Sequence, residues 1–199
     1  MRPGTLLDIG CSVGNFMIAA RERGWKPAGL EPNPVAAGLA RKEGFEVFNE
    51  YFNEIFTEKH GDKYDAIYMG GVIEHIVNPL EFVKLSHKII SPGGILMITT
   101  CNIRSFLGRK YQVKPEEHLV YFDLDTARRL LEKSGFEVLF VIKNSRFKDL
   151  ASMDKSTTEI NMLEKLIVKF TKIFHLSKVV SVLLSSIARD EIFIAGRKK

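Results

Sequence analysis

This 199-residue chain has little cysteine, no long apolar run and no block of like charge, and each lack excludes something. Two cysteines, Cys11 and Cys101, are too few and too far apart for a disulfide framework and predict reduced thiols in a cytoplasmic setting. No apolar stretch reaches the roughly 18 residues that read as a membrane-spanning helix. No signal-peptide pattern precedes the first strand, into which Met1-Arg-Pro-Gly4 runs directly. Like charges never run together over about five residues, and the net charge of +5 is mild, so nucleic acid is not an expected partner. The Walker spacing G-x-x-x-x-G-K-S/T is missing, which excludes that phosphate cradle. What remains is ordinary for one globular domain with a core of its own: 45% apolar and 27% charged residues.

Short apolar runs alternate with helical patterns, which predicts an α/β fold on a mainly parallel, doubly wound sheet. Strands are expected near 5–9, 27–31, 45–48, 65–69, 94–100, 136–143 and 190–196. Helices are expected near 14–23, 34–43, 51–58, 79–91 and 123–134. Pro79 suits a helix first turn, Ser91-Pro-Gly-Gly94 reads as a turn, and Gly24, Gly44 and Gly135 read as glycines that end helices.

Residues 146–189 break this rhythm and contain neither glycine nor proline. From Asn161 to Phe174, lysines 165, 169 and 172 share one face, opposite Met162, Leu166, Phe170 and Ile173. A second, nearly all-apolar helix is expected near 177–188. The pair reads as a helical insertion packed on its own domain or on a second copy in a homodimer. The functional readings are a lid over an apolar substrate or an interfacial helix in peripheral contact with a membrane.

The first strand runs into Leu6-Leu-Asp-Ile-Gly-Cys-Ser-Val-Gly-Asn-Phe16, and the second ends on the acid of Leu30-Glu-Pro-Asn33. A glycine-bearing turn between strand and helix bares backbone N–H groups. A carboxylate one strand away can accept both vicinal hydroxyls of a ribose, the role expected of Glu31. A dinucleotide fingerprint is broken, because Ser12 and Asn15 stand where G-x-G-x-x-G needs glycine. A nicotinamide oxidoreductase is therefore disfavoured.

The loop resembles motif I of the class I S-adenosylmethionine (SAM) methyltransferases, D/E-x-G-x-G-x-G, with Asp8, Gly10 and Gly14 matching and Ser12 replacing the middle glycine. Three further blocks resemble the ubiquinone-biosynthesis-like branch of that superfamily. Tyr64-Asp-Ala-Ile-Tyr-Met-Gly-Gly-Val-Ile-Glu-His-Ile-Val-Asn-Pro79 is similar to its F-D-x-I-x-x-x-x-V-L-E-H-I-x-D-P. Ser91-Pro-Gly-Gly-Ile-Leu-Met-Ile-Thr-Thr-Cys-Asn102 is similar to L-K-P-G-G-x-L-x-I-x-T-P-N, and His118 to Phe136 follow H-x-x-x-F-S/T-x-x-x-L-x-x-L-L-x-x-A-G-F. The resemblance covers about residues 5–143 and the final strand, and leaves 146–189 uncovered.

The resemblance implies a Rossmann-like seven-stranded sheet of order 3-2-1-4-5-7-6 with the last strand antiparallel. It implies SAM as cofactor, S-adenosylhomocysteine (SAH) as product, and methyl transfer to a small molecule, apolar or lipid-like if 146–189 is a lid. Its cofactor site would draw Asp8, Gly10, Cys11, Ser12, Gly14 and Phe16 from the first loop and Glu31 and Pro32 from the second. Tyr51 and Phe52 would flank the adenine, and Gly70 and Gly71 would let the methionyl part approach backbone. Asp8 would organise the loop and the amino end of the ligand.

A hydroxyl acceptor would need a base, for which His118 is the candidate. Relatives with E-x-x-E-H bind a divalent metal, but Gly71 replaces the first glutamate here, so no metal is expected. A metal set of Glu74, His75 and a residue distant in sequence stands as the alternative; otherwise His75 is expected to start a helix facing the site entrance. Motif I lies five residues after Met1, so the family's upstream cover helices are expected to be missing. A fragment, a domain of a longer product or a lid borrowed from a partner would account for that. A non-catalytic SAM-fold binding module is the alternative to an enzyme.

Overall fold

The computed structural model describes residues 2–60, 63–105, 113–144 and 190–199. The helical insertion expected over 146–189, with its lid, membrane and dimer readings, lies outside the described residues. Among the described residues, seven strands alternate with five α-helices: β1 Thr5–Ile9, α1 Asn15–Arg21, β2 Lys26–Leu30, α2 Pro34–Lys42, β3 Glu46–Phe48, α3 Glu54–Lys59 and β4 Tyr64–Gly70. A single 3₁₀ turn, Ile73–His75, precedes α4 Pro79–Ile89, β5 Ile90–Cys101, α5 Leu124–Lys133, β6 Phe136–Asn144 and β7 Glu191–Lys198. They form one sheet of order β3-β2-β1-β4-β5-β7-β6. All neighbours are parallel except the two pairs of β7, which runs antiparallel to both β5 and β6. The topology is the one the resemblance implied.

Alternate strand residues divide the core between the two faces of the sheet, as the pleat requires. Leu7, Ile9, Ile67, Met69, Leu96 and Ile98 pack with α4 and α5 residues such as Val83 and Leu131 on one face. On the other face, Leu6 and Ala66 pack with Ala20 of α1, flanked by Phe16, Trp25 and Met97. Parallel order brings the carboxyl ends of β1, β2 and β4 to one edge, and the chain reverses direction of winding between β1 and β4. Open α/β sheets bind ligands in the crevice at such a point.

Local chemistry sets the helix starts. The side chains of Asn33 and Asn53 accept N–H bonds at the heads of α2 and α3. Asn78 does the same for α4, with Pro79 in the first turn as expected. Two expectations fail locally. Ser91-Pro-Gly-Gly94 is not a separate turn: α4 ends at Ile89, β5 begins at Ile90, and the four residues form an irregularity inside β5. Pairing with β4 passes from Tyr64↔Ile90 to Ala66↔Ile95, and the slack is taken up where Gly93 adopts φ +75°. His75 does not start a helix but ends the 3₁₀ turn, because Asn78 and Pro79 begin α4 later.

Candidate cofactor and acceptor site

The loop after β1 is held against β2 by backbone: the N–H groups of Gly10 and Cys11 both donate to Leu30 O, at 2.8 and 3.2 Å. Gly10 has φ +76°, and a Cβ there would stand 2.5 Å from Val72 Cγ2, so a side chain is excluded twice over. Ser12 takes φ +49°, the left-handed backbone that the family's glycine adopts without cost. Glu31 braces this conformation. Its Oε2 accepts the Ser12 N–H at 3.0 Å and its Oε1 accepts the Asn33 N–H at 2.8 Å. Asn49 donates to the carbonyls of Glu31 and Pro32, fixing the strand end that carries the acid. An ionised carboxylate has about four lone-pair sites, so two remain for a diol.

A cavity of about 310 Å³ opens beside this loop. Of the residues expected at the cofactor, Asp8, Gly10, Cys11, Ser12, Phe16, Gly70 and Gly71 line it. Gly14 caps α1 with φ +90° behind the loop, and Glu31 and Pro32 lie at its β2 end without lining it. Tyr51 and Phe52 are not brought to it. Tyr51 is 74% exposed, while Phe52 is buried against Phe56 and Phe82, with ring centroids 6.0 and 5.0 Å away. Tyr68, Thr99 and Glu191 line the cavity without having been expected there. Their shared face follows from the pleat and the register of β4, β5 and β7; only a known pairing would have revealed it.

The electrostatics are one-sided. Asp8 is buried, and burial first, then the Glu31 charge, pushes its carboxyl up to about 7. Burial, helped by Asp8 and Glu31, pushes the Cys11 thiol up to about 12. Among the described residues no lysine, arginine or histidine lines the cavity. Such a wall suits a cationic ligand. Together with the glycine loop and the braced acid at a strand end, it fits the sulfonium nucleoside SAM.

A second group of side chains lies past β4. Glu74 is buried, its Oε2 accepts from Thr100 Oγ1 at 2.9 Å, and its carbonyl accepts from Leu119 N and Val120 N. His75 Nδ1 lies 2.7 Å from Glu117 O, which holds it as the donor and turns Nε2 away from that carbonyl. The His75 and His118 rings meet edge to face at 4.9 Å. One ligand atom from each of Glu74, His75 and His118 lies within 4.8 Å of the others, so His118 is the distant residue of the alternative metal set. Gly71 adopts φ +68°, which a glutamate at that position would strain. None of Glu74, His75 and His118 lines the cavity; Gly70 and Gly71 separate the two regions.

Comparison with known proteins agrees with this geometry. A family described as a methyltransferase domain matches residues 1–141. The ubiquinone biosynthesis O-methyltransferase of Dinoroseobacter shibae is 25% identical over 147 residues, 66% of this chain and 59% of that one. The enzyme of the same name from Salmonella enteritidis is 32% identical over 104 residues, 49% of this chain and 42% of that one. The chain thus spans about half the length of the curated relatives it matches. Among solved structures, a SAM-dependent methyltransferase from Archaeoglobus fulgidus superposes with a TM-score of 0.69 at 17% identity, covering 98% of this chain and 86% of that one. Phosphoethanolamine N-methyltransferase 2 of Haemonchus contortus, solved with SAM, gives 0.64 at 18% identity, covering 100% and 49%.

Proposed function

This chain belongs to the class I SAM-dependent methyltransferase family, and we propose from that premise that it moves the methyl group of SAM to a small apolar or lipid-like acceptor. The observation that carries the reading is the cavity walled by Asp8 and the motif I loop at the carboxyl edge of the sheet, with Glu31 bonded to Ser12 at its ribose end. SAM supplies, when bound, a methyl group on a sulfonium, a leaving group that needs no further activation.

The protein's task is then mainly positioning. Glu31 orients the nucleoside through its diol, and Gly70 and Gly71 admit the chain next to backbone. On the far side of that glycine pair, His118 accepts the proton of a hydroxyl acceptor as the oxygen is methylated. His75 packs edge-on against His118 and orients it. We read the transfer as metal-free: Gly71 removes one carboxylate of the family's metal motif, and Glu74 is engaged in holding β5 and the 117–120 segment.

The reading is tested by calorimetric titration with SAM, SAH and NADH, followed by methyl transfer to a panel of phenols, catechols and prenylated quinols. SAM and SAH binding with turnover on a hydroxyl acceptor is expected, and His118→Gln should lower kcat by about 10²–10⁴-fold, the usual worth of a general base, with SAH affinity unchanged. Binding of NADH alone overturns the reading. SAH binding with no turnover on any acceptor replaces it with a SAM-fold binding module.

A further inference from the structure

We propose that the Tyr68 hydroxyl, oriented by Thr99, binds the methionyl carboxylate of the cofactor. The proposal rests on the SAM reading above.

The methionyl end carries both an ammonium and a carboxylate, so it is neutral overall and an acidic lining does not exclude it. Its carboxylate still needs hydrogen-bond donors. Among the described residues no lysine, arginine or histidine lines the cavity. Much of the backbone is already committed. The N–H groups of Gly10 and Cys11 go to Leu30 O, that of Ser12 to Glu31 Oε2 and that of Gly71 to Thr99 O. Of the polar side chains in the lining, Ser12 lies against Glu31 at the ribose end, and Asn15 is the first residue of α1. Tyr68 on β4 and Thr99 on β5 are the hydroxyls farther along the carboxyl edge.

Their distance from Glu31 suits the task. Glu31 follows β2, and the sheet continues β1-β4-β5 from there. Tyr68 therefore stands two strand steps from Glu31 and Thr99 three, roughly 10 and 14 Å at about 4.8 Å a step. The ribose sits at the Glu31 end, and the carboxylate terminates the chain that leads away from it. The Glu74, His75 and His118 group lies outside the cavity, so the two hydroxyls are grouped with the cofactor and not with the base.

The hydroxyl is presented by a fixed ring. Tyr68 stacks on Phe16 with centroids 3.8 Å apart. A Cβ on Gly70 would stand 2.5 Å from the phenol oxygen, so the ring takes the space that a side chain at that position would need. Gly70 pairs with Thr99, and the phenol oxygen over it lies 3.0 Å from Thr99 Oγ1. Two hydroxyls that share one hydrogen bond keep one hydrogen to donate elsewhere. The phenol is the more acidic of the two, so Thr99 donates to Tyr68, and Tyr68 donates to the carboxylate in a charge-assisted bond. Burial raises the Tyr68 pKa more than the Thr99 bond lowers it, so the phenol keeps that hydrogen at neutral pH.

The test compares SAM with decarboxylated SAM, which keeps the sulfonium and the ammonium and lacks only the carboxylate. Both are titrated calorimetrically into the full chain, into Tyr68→Phe and into Thr99→Val. In Tyr68→Phe, SAM affinity is expected to fall by about tenfold or more, the range of one hydrogen bond to a charged group, while decarboxylated SAM stays within about twofold. Thr99→Val, which removes only the partner that orients the phenol, should show a smaller loss, again for SAM alone. Tyr68→Phe keeps the ring and its stack on Phe16; if it fails to fold, Thr99→Val decides by the same comparison. Unchanged SAM affinity, or equal losses for both ligands, overturns the assignment of Tyr68, as does wild-type protein that binds the two ligands equally well. Wild-type protein that binds neither ligand overturns the SAM reading, and the proposal with it.

Discussion

Asp8 shows how much a single position can weigh. It is 2% exposed on β1, and burial with the nearby Glu31 charge pushes its pKa from 3.8 up to about 7. A carboxyl that holds its proton more tightly when folded stabilises the fold below its ordinary pKa, and that stability is lost as pH rises through about 7. The unliganded protein should therefore lose stability between pH 5 and pH 8. Asp8→Asn should remove that loss and gain roughly 2–4 kcal/mol at pH 8, while gaining little below pH 4. Thermal melts across that range check it; a parallel pH profile in variant and wild type would contradict it. Asp8 and Gly10 were legible as parts of one strand-to-helix turn and Glu31 as the acid ending the next strand, because the spacing and the motif I resemblance both point to those places. Phe52 was less legible, because an aromatic after β3 serves the core as well as it serves an adenine, and its packing on Phe56 and Phe82 appears only in three dimensions.

Among elements, α5 has the most complete start. Thr126 Oγ1 accepts the Asp123 N–H, and the Thr126 N–H and hydroxyl both donate to Asp123 Oδ1, which holds that carboxyl down to about 2. The Arg104 ion pair at 2.9 Å adds little, because Arg104 is mostly exposed. Asp123→Ala should cost about 1 kcal/mol and Asp123→Asn less, read by chemical denaturation at pH 7. A depressed pKa gives stability that is present above the ordinary carboxylate value and lost as pH falls through about 2, so the cost of the alanine should shrink in that window. Equal stability of Asp123→Ala and wild type at pH 7 would refute the cap. The start of α4 was legible because Pro79 suits a helix first turn whatever surrounds it. The Ser91–Gly94 irregularity was not: Pro and Gly punctuate a turn and a bulge alike, and only the parallel pairing with β4 makes it the latter.

At the scale of the molecule, residues far apart in sequence meet. Glu74, His75 and His118 come together because the 117–120 segment bonds back onto the 3₁₀ turn. Chelation with EDTA tests the metal-free reading at this level. Activity is expected to stay within about twofold; a loss of about tenfold or more that Mg²⁺ or Mn²⁺ restores would put a metal on those three side chains. The strand order was legible through the linked sequence blocks, each tied to one strand end. The presence of Glu191 at the cavity was not, since it depends on β7 entering the sheet backwards between β5 and β6.

That reversed strand also sets an order of assembly. Among the described residues β6 pairs with β7 alone, while β5 already pairs with β4, so until residues 191–198 leave the ribosome β6 has no strand to pair with. Leu139, Phe140 and Ile142, still among the most exposed apolar side chains in the finished sheet, are then without even a backbone partner. The nascent chain can shape most of its pocket early and must wait for β7 to add the Glu191 wall. Occupancy of the complete pocket would thus register, as a by-product, that translation has run past residue 191.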